Sequence, residues 1–335
     1  IYRFSHIVQN PTRPKRHECM VVPVPSLEKG GGFCGGFAAH PGKTNSATET
    51  TQQNTYQPRQ DGDERGHDRS VMVSQMKGPG EIRKEARAWK SQLLTAKART
   101  KIGTWNVRTL YSAGKLAQVL NEMKRYHVDI MGISEMRWTD CGRMESDGLT
   151  IYYSGGNKHE RGVGIILTAE MARAVIAWEP VSDRIITIRL QTKYMKVTLI
   201  QVYAPTNAAD DKEKDEFYEV LQAIMDGTPE HDMKLFLGDC NAQVGKDNTG
   251  WEETMGREAI GTRNENGERL LSYCSSNKLK VGGSIFKHRD IHLGTWRSPN
   301  GQTVNQIDHI CYSRRWASSV QDVRALRGPD VGSGH

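Results

Sequence analysis

From Lys101 onward the chain is a succession of short apolar runs rich in β-branched residues, most of them closed by a polar side chain. Lys101–Val107, Val128–Ile133, Gly162–Leu167, Ala174–Trp178, Arg184–Leu190 and Lys196–Tyr203 read as strands. So do Met233–Leu237, Gly294–Arg297, Gln306–Cys311 and Val320–Leu326. Between them lie a few helical stretches: Lys115–Tyr126, with Leu116, Val119, Leu120 and Met123 on one face; Asp215–Met225, with Phe217, Leu221 and Ile224; and Glu268–Ser276. Many strands with few helices do not make a sheet wound helix by helix. They predict an α/β (α+β) fold, a four-layer sandwich of two packed mixed β-sheets flanked by helices.

The first hundred residues have a different texture. Residues 1–78 hold a glycine run (Gly30–Gly32), a Thr/Gln/Asn tract and the charged stretch Asp61–Arg69, with sparse, unperiodic apolar residues. Such a segment has too little apolar surface to repay its ordering entropy, so a disordered basic arm is expected there. Residues 79–100 form a helix-permissive lead-in around Glu81–Ala96, and 101–335 form the folded domain. The charge divides the same way. Residues 1–100 carry 16 Lys and Arg against 9 Asp and Glu, which accounts for the whole net charge of +7. A neutral domain does not argue for nucleic acid by charge alone, and a basic tail is more often simply solvated.

No apolar run nears the roughly 18 residues of a membrane helix, so no membrane partner is expected. Ile1 stands where an initiator Met would, with no hydrophobic leader after it, so the chain reads as a fragment that is not secreted. Six cysteines without a Cys-x-x-Cys pair predict reduced thiols, not a disulfide or zinc framework.

The polar residues that close the runs carry the chemistry. Leu235-Phe236-Leu237 leads into Gly238-Asp239-Cys240-Asn241, Asp308 sits inside an apolar stretch, and His335 closes Ser333-Gly334-His335. Acid, amide and imidazole at strand ends make a site rather than a core, and one suited to phosphodiester hydrolysis. Such an ester repels hydroxide, so its charge must be neutralised and a water aligned in line. Glu135, after Ile130–Ile133, is a candidate metal ligand, although a lone Glu there is more often a solvated end. Asn106 interrupts a strand with an amide that either holds a phosphate oxygen or makes a turn. Tyr203 either sends a hydroxyl to a phosphate or packs as a half-buried ring. Trp296 reads first as core and second as a stacking surface for a nucleotide. Cys240 reads as a small strand-end residue, and His309 as facing away from Asp308. His288 and His292 lie in a Lys/Arg-containing loop that is solvated or touches a DNA backbone.

Taken together, Trp105-Asn106-Val107-Arg108, Ser134–Trp138, Gln201–Pro205, Gly238–Ala242, Thr295-Trp296 and Ile307–His309 occur in the order found in one superfamily. Residues 101–335 resemble the endonuclease/exonuclease/phosphatase superfamily, in its exonuclease III and AP endonuclease branch. The segments Arg161–Gly164 and Asn264–Leu270 narrow the likeness to endonuclease domains of RTE-like non-LTR retrotransposons. The resemblance implies a Mg²⁺ (or Mn²⁺) dependent DNA endonuclease, monomeric, nuclear or nucleocytoplasmic. It implies that Glu135 binds the metal with Asn106 in support. Asp239 would align or deprotonate water, Asn241 would orient it, and Tyr203 would touch the scissile phosphate. Asp308 would hold His335, while Trp296 and Arg161 would contact substrate. Two departures stand out: Gly334 replaces the Asp of the family's Ser-Asp-His, with Asp330 as the nearest acid, and the strand that follows in relatives is missing. They leave two alternatives open, a catalytically impaired binding remnant and a phosphatase of the same superfamily. The pair Asp210-Asp211, in a polar loop, does not read as a polymerase site.

Overall fold

The computed structural model describes residues 100–328 and 332–335. The expected disordered arm (1–78), the lead-in up to residue 99 and Asp330 lie outside the described residues. The domain begins with β1 (Ile102–Asn106), α1 (Lys115–Arg125), β2 (Ile130–Ser134), β3 (Cys141–Ser146), β4 (Leu149–Ser154), β5 (Val163–Thr168) and α2 (Ala169–Arg173). It continues through β6 (Val175–Ser182), β7 (Ile185–Gln191), β8 (Lys196–Tyr203), α3 (Asp211–Gly227), β9 (Met233–Asp239), α4 (Glu265–Ser276) and β10 (Leu279–Val281). A short hairpin of β11 (Trp296–Arg297) and β12 (Val304–Asn305) precedes β13 (Asp308–Ser313).

The first sheet runs β1-β2-β5-β4-β3 and the second β10-β13-β9-β8-β7-β6. β1 and β2 are parallel, joined by α1, and β8 and β9 are parallel, joined by α3. All other pairs are antiparallel.

Period-two alternation sorts the side chains into three apolar layers. Ile102, Ile130, Ile165 and Leu167 of the first sheet meet Ile186, Leu199, Leu235, Leu237 and Ile310 of the second. On the outer face of the first sheet, Met131, Ile133 and Ile166 cover Val119, Leu120 and Met123 of α1. On the outer face of the second, Ile200, Val202 and Phe236 cover Phe217, Leu221 and Met225 of α3 and Leu270 and Leu271 of α4. Each such aliphatic or aromatic side chain contributes about 1.5–3 kcal/mol by leaving water. This is the four-layer sandwich that the strand pattern predicts. α3 starts where Asp210 accepts a hydrogen bond from Glu213 N at 2.7 Å, so that acid is a helix cap.

Two local readings change. Val320–Leu326 is extended but belongs to no sheet; its Ala325 N donates to His292 O at 2.7 Å, so it closes over a loop instead of pairing with a strand. The β3–β4 hairpin has no counterpart among the expected strands. Its turn signal was present: Asp147-Gly148 adopt φ of 53° and 76°, the left-handed pair that a two-residue hairpin needs. Cys240, Cys274 and Cys311 are free and buried as expected. Cys141, half-buried on the edge strand β3, is disulfide-bonded, a departure from reduced thiols throughout.

Candidate active site

The alternation that builds the core also delivers the site. Asn106 follows Ile102 and Thr104 on the inner face of β1. Asp239 follows Leu235 and Leu237 on that of β9, and Asp308 precedes Ile310 on that of β13. All three are buried where their strands end. Register brings them together, because Asp308 pairs with Asp239 and Asp239 with Tyr203. Ser134 closes β2 opposite Asn106 and hands the chain to Glu135, whose φ of 53° turns it out of the strand.

One amide joins the two sheets. Asn106 Nδ2 donates to Glu135 Oε1 and to Asp239 Oδ2, each at 2.8 Å, and its Oδ1 accepts from Arg108 N at 2.9 Å. Glu135 Oε2 accepts from Arg137 Nη2 at 3.1 Å. Asp239 Oδ1 accepts from Asn241 N at 3.0 Å. His335 Nδ1 lies 2.9 Å from Asp308 Oδ2, and Thr295 Oγ1 accepts from the Asp308 and Ile307 amides, both at 3.1 Å. Ligating atoms of Asp239, Asp308 and His335 all lie within 4.8 Å of one another.

Why the chain holds this shape is local chemistry. At Gly238 (φ 149°) a Cβ would stand 2.1 Å from Val202 O, so only glycine lets β9 approach β8 before Asp239. Asn241 (φ 47°) turns the chain back and spends its Nδ2 on Ala204 O at 3.0 Å. Its carbonyl accepts from Asn266 Nδ2 at 3.1 Å, and Asn264 Oδ1 caps α4 through Gly267 N at 2.8 Å. A Cβ on Gly267 would meet Gln243 O at 1.9 Å, so the first turn of α4 lies directly on the Asp239 loop. The Asn264–Leu270 segment is therefore a clamp for that loop.

Electrostatics follow from packing carboxylates out of water. Burial, then the neighbouring Asp308 charge, push Asp239 up to about 7, while the Asn106 and Asn241 N–H groups pull against them. Burial works to raise Asp308 as well, but the His335 charge and hydrogen bond outweigh it and hold it below its usual range. His335 is the mirror case: burial lowers it, and Asp308, Asp239 and Glu135 together raise it. Burial and then the charges of Glu135 and Asp239 hold the Tyr203 hydroxyl well above its ordinary value, so it stays a donor.

The other predicted residues divide. Trp296 is half-buried and, with Trp105, Ile260, Thr295, Arg297 and His335, lines a cleft of about 860 Å³. Trp296 is thus a cleft wall instead of core. Arg161 pairs with Glu213 at 3.1 Å and Asp183 at 3.6 Å. His309 is buried, with Nε2 donating to Ala242 O at 2.7 Å, and Cys240 is a buried thiol pushed up by burial. His288 bonds Asp322 at 2.6 Å, and His292 Nδ1 lies 3.2 Å from Ala325 O. Sequence reasoning missed the supporting roles of Ser134, whose Oγ donates to Val202 O at 2.9 Å, of Thr295 and of Arg184. Their only signal was adjacency to a marked residue; Arg184, in the turn before β7, had none.

The Endonuclease/Exonuclease/phosphatase family is matched over residues 103–333, which spans every site residue but His335. The chain belongs to that family. Craniofacial development protein 2 of Bos taurus is 41% identical over 246 residues, covering 73% of this chain and 41% of that relative. The chain therefore spans less than half the length of this curated relative. Among solved folds, the AP endonuclease LMAP from Leishmania major aligns with a TM-score of 0.51 at 13% identity, covering 69% of this chain and 84% of its own. The 3′ phosphatase NExo from Neisseria, bound to a product DNA hairpin, aligns with a TM-score of 0.50 at 22% identity, covering 70% and 96%. These likenesses give the family member its fold: two sheets with helices outside.

The donor set fits a hard cation. Asp239, Asp308 and His335 offer ligating atoms within 4.8 Å of one another, and Glu135 stands beside them, joined to Asp239 through the Asn106 amide. A divalent ion there would reverse the rise of Asp239.

Proposed function

We propose that this domain is a divalent-metal-dependent phosphodiesterase that nicks DNA. The observation that carries the reading is the single Asn106 amide bonded at 2.8 Å to both Glu135 and Asp239, with the Asp308–His335 pair alongside. Glu135 would hold Mg²⁺ with Asn106 in support. When bound, that ion supplies charge neutralisation for the phosphate and its departing oxygen.

The chain's own groups do the rest. Asp239, buried at the end of β9, is placed to accept a proton from an attacking water, and Asn241 N holds its second oxygen. Asp308 accepts from His335 Nδ1, so Nε2 faces the substrate side and can donate to a phosphate oxygen. Tyr203 keeps its proton and can donate likewise. Trp296 walls the cleft beside His335 and offers an apolar face to a nucleotide. DNA as the partner, a nuclear or nucleocytoplasmic location and a monomeric state go with this reading. The domain division at residues 78 and 100 does too.

The test is plasmid nicking with Mg²⁺, with Mn²⁺ and with EDTA. The intact chain should convert supercoiled to open circles only with metal, and Glu135→Ala and Asp239→Ala should each remove the activity. Undiminished nicking by Asp239→Ala would overturn the assignment. Release of phosphate from soluble esters without nicking would favour a phosphatase instead.

One observation favours a second reading, a binding module with impaired catalysis. Gly334 offers no carboxylate where the family's Ser-Asp-His has one, and its exposed position beside Trp296 puts that loss at the cleft. That reading expects no nicking by the chain as it stands, and none by Gly334→Asp.

A further inference from the structure

The geometry points to Gln201 as a positioning residue that sets Asp239 through the Ser134 hydroxyl, from a polar layer buried beneath the site. This deepens the nicking reading above and rests on it for the role of Asp239. Along the inner faces of β1, β2 and β8, two residues back from the site, Asn106 gives way to Thr104, Ser134 to Gly132 and Tyr203 to Gln201. Two residues further back stand Ile102, Ile130 and Leu199, all apolar core. Gln201 is fully buried and Thr104 is 2% exposed. An apolar side chain of the same shape would hold the two sheets together about as well. What the amide bonds to therefore shows what it does.

Gln201 Nε2 donates to Ser134 Oγ at 3.0 Å and to Val202 O at 3.2 Å, and its Oε1 accepts from Thr104 Oγ1 at 3.4 Å. Ser134 Oγ gives its one proton to Val202 O at 2.9 Å, which leaves its lone pairs for Gln201 and for the Asp239 N–H at 3.4 Å. With the proton and one lone pair committed, the hydroxyl keeps its other lone pair on Asp239. Asn106 and Asn241 hold the carboxylate, and Ser134 holds the backbone that carries it. The facing strand is cut to fit: a Cβ on Gly132 would stand 1.8 Å from Gln201 Oε1, so β2 makes room for the amide.

Misplacing a reacting group by 1 Å costs about 10²-fold in rate. Gln201 acts through one intermediary, so Gln201→Leu should slow nicking at saturating DNA by about 10-fold, with KM for DNA unchanged. Gln201→Glu, which sets a carboxylate oxygen against Ser134 Oγ and Val202 O, should lose more. Ser134→Ala should lose at least as much as Gln201→Leu, and the double variant no more than Ser134→Ala, because both act through one hydroxyl. Gly132→Ala with Gln201→Val exchanges volume across the two strands. Its melting temperature should exceed that of Gly132→Ala alone, while its rate stays low.

A ¹⁵N-labelled chain without metal or DNA reads the same contact free of turnover. The Asp239 amide resonance should shift in Gln201→Leu as well as in Ser134→Ala, with that of Leu235 on the same strand unmoved. A Gln201→Leu chain that melts lower but keeps its rate and its Asp239 resonance would reduce the layer to packing and overturn the proposal. Losses that multiply in the double variant would overturn it too. A wild-type chain that does not nick would remove the nuclease reading, and the resonance then decides alone: a shift in both variants supports the positioning of Asp239, and an unmoved resonance overturns it.

Discussion

Replacing Asn106 by Ala removes an amide that touches both site carboxylates, Glu135 and Asp239. Its two bonds to ionised oxygens are worth about 1.5–3 kcal/mol each, so about 3–6 kcal/mol bounds the total loss. Water can enter beside Glu135, whose side chain is 15% exposed, and restores part of it. The share felt only at the reacting geometry is about one bond, and about 1.5–3 kcal/mol corresponds to a 10- to 150-fold slower nicking rate. The same bond helps keep Asp239 ionised, since Asn106 pulls against the burial that raises it to about 7. A base must be deprotonated, so activity is present above its pKa and lost below it. Without Asn106 the acid limb of the rate profile should move to higher pH. The assay is single-turnover nicking at saturating Mg²⁺ from pH 5.5 to 9, with circular dichroism to show that the fold persists. A rate within threefold of wild type and an unmoved acid limb would refute the bridging role.

Gly238→Ala should cost more than about 3 kcal/mol in urea unfolding, because its Cβ would stand 2.1 Å from Val202 O and overpacking alone costs about 1–3; a stable, active variant would contradict the close approach. His309, kept neutral by burial, has a pKa below its ordinary 6.5, so the unfolded chain binds the extra proton first. Its stability contribution is full above pH 6.5 and lost as pH falls below that; wild type should lose up to about 1.4 kcal/mol per pH unit relative to His309→Gln there. Gly334→Asp sits at φ 80° with its Cβ 3.2 Å from Arg297 O, so the left-handed backbone and the tight contact should cost about 1–2 kcal/mol in unfolding. The added carboxylate should tighten Mn²⁺ binding in titration calorimetry.

Much of this was legible because strands have a period of two. Once Leu235-Phe236-Leu237 is a buried strand, Asp239 shares a face with Leu235 and Leu237, and the same parity aligns Asp308 with Ile310. The residues that close runs were therefore readable one at a time, and their meeting required only two sheets face to face. Parity cannot show what comes from the third dimension. Arg184 lies in a turn with no pattern, and its partner Glu213 is 29 residues away on a helix. Trp296 looked like core because an aromatic in a short run usually is, yet its run ends after two paired residues and leaves the ring on a cleft. Val320–Leu326 has the composition of a strand but joins neither sheet, and its Ala325 N donates to His292 O instead.

The position of β13 has a bearing on synthesis. It is threaded between β9 and β10, which are made earlier, and it carries Asp308. A nascent chain that has emerged only to residue 300 has β9 with an unfilled edge and neither Asp308 nor His335. Completing the sheet and setting Asp308 opposite Asp239 are then a single late event, so a half-made polypeptide holds only part of the candidate site.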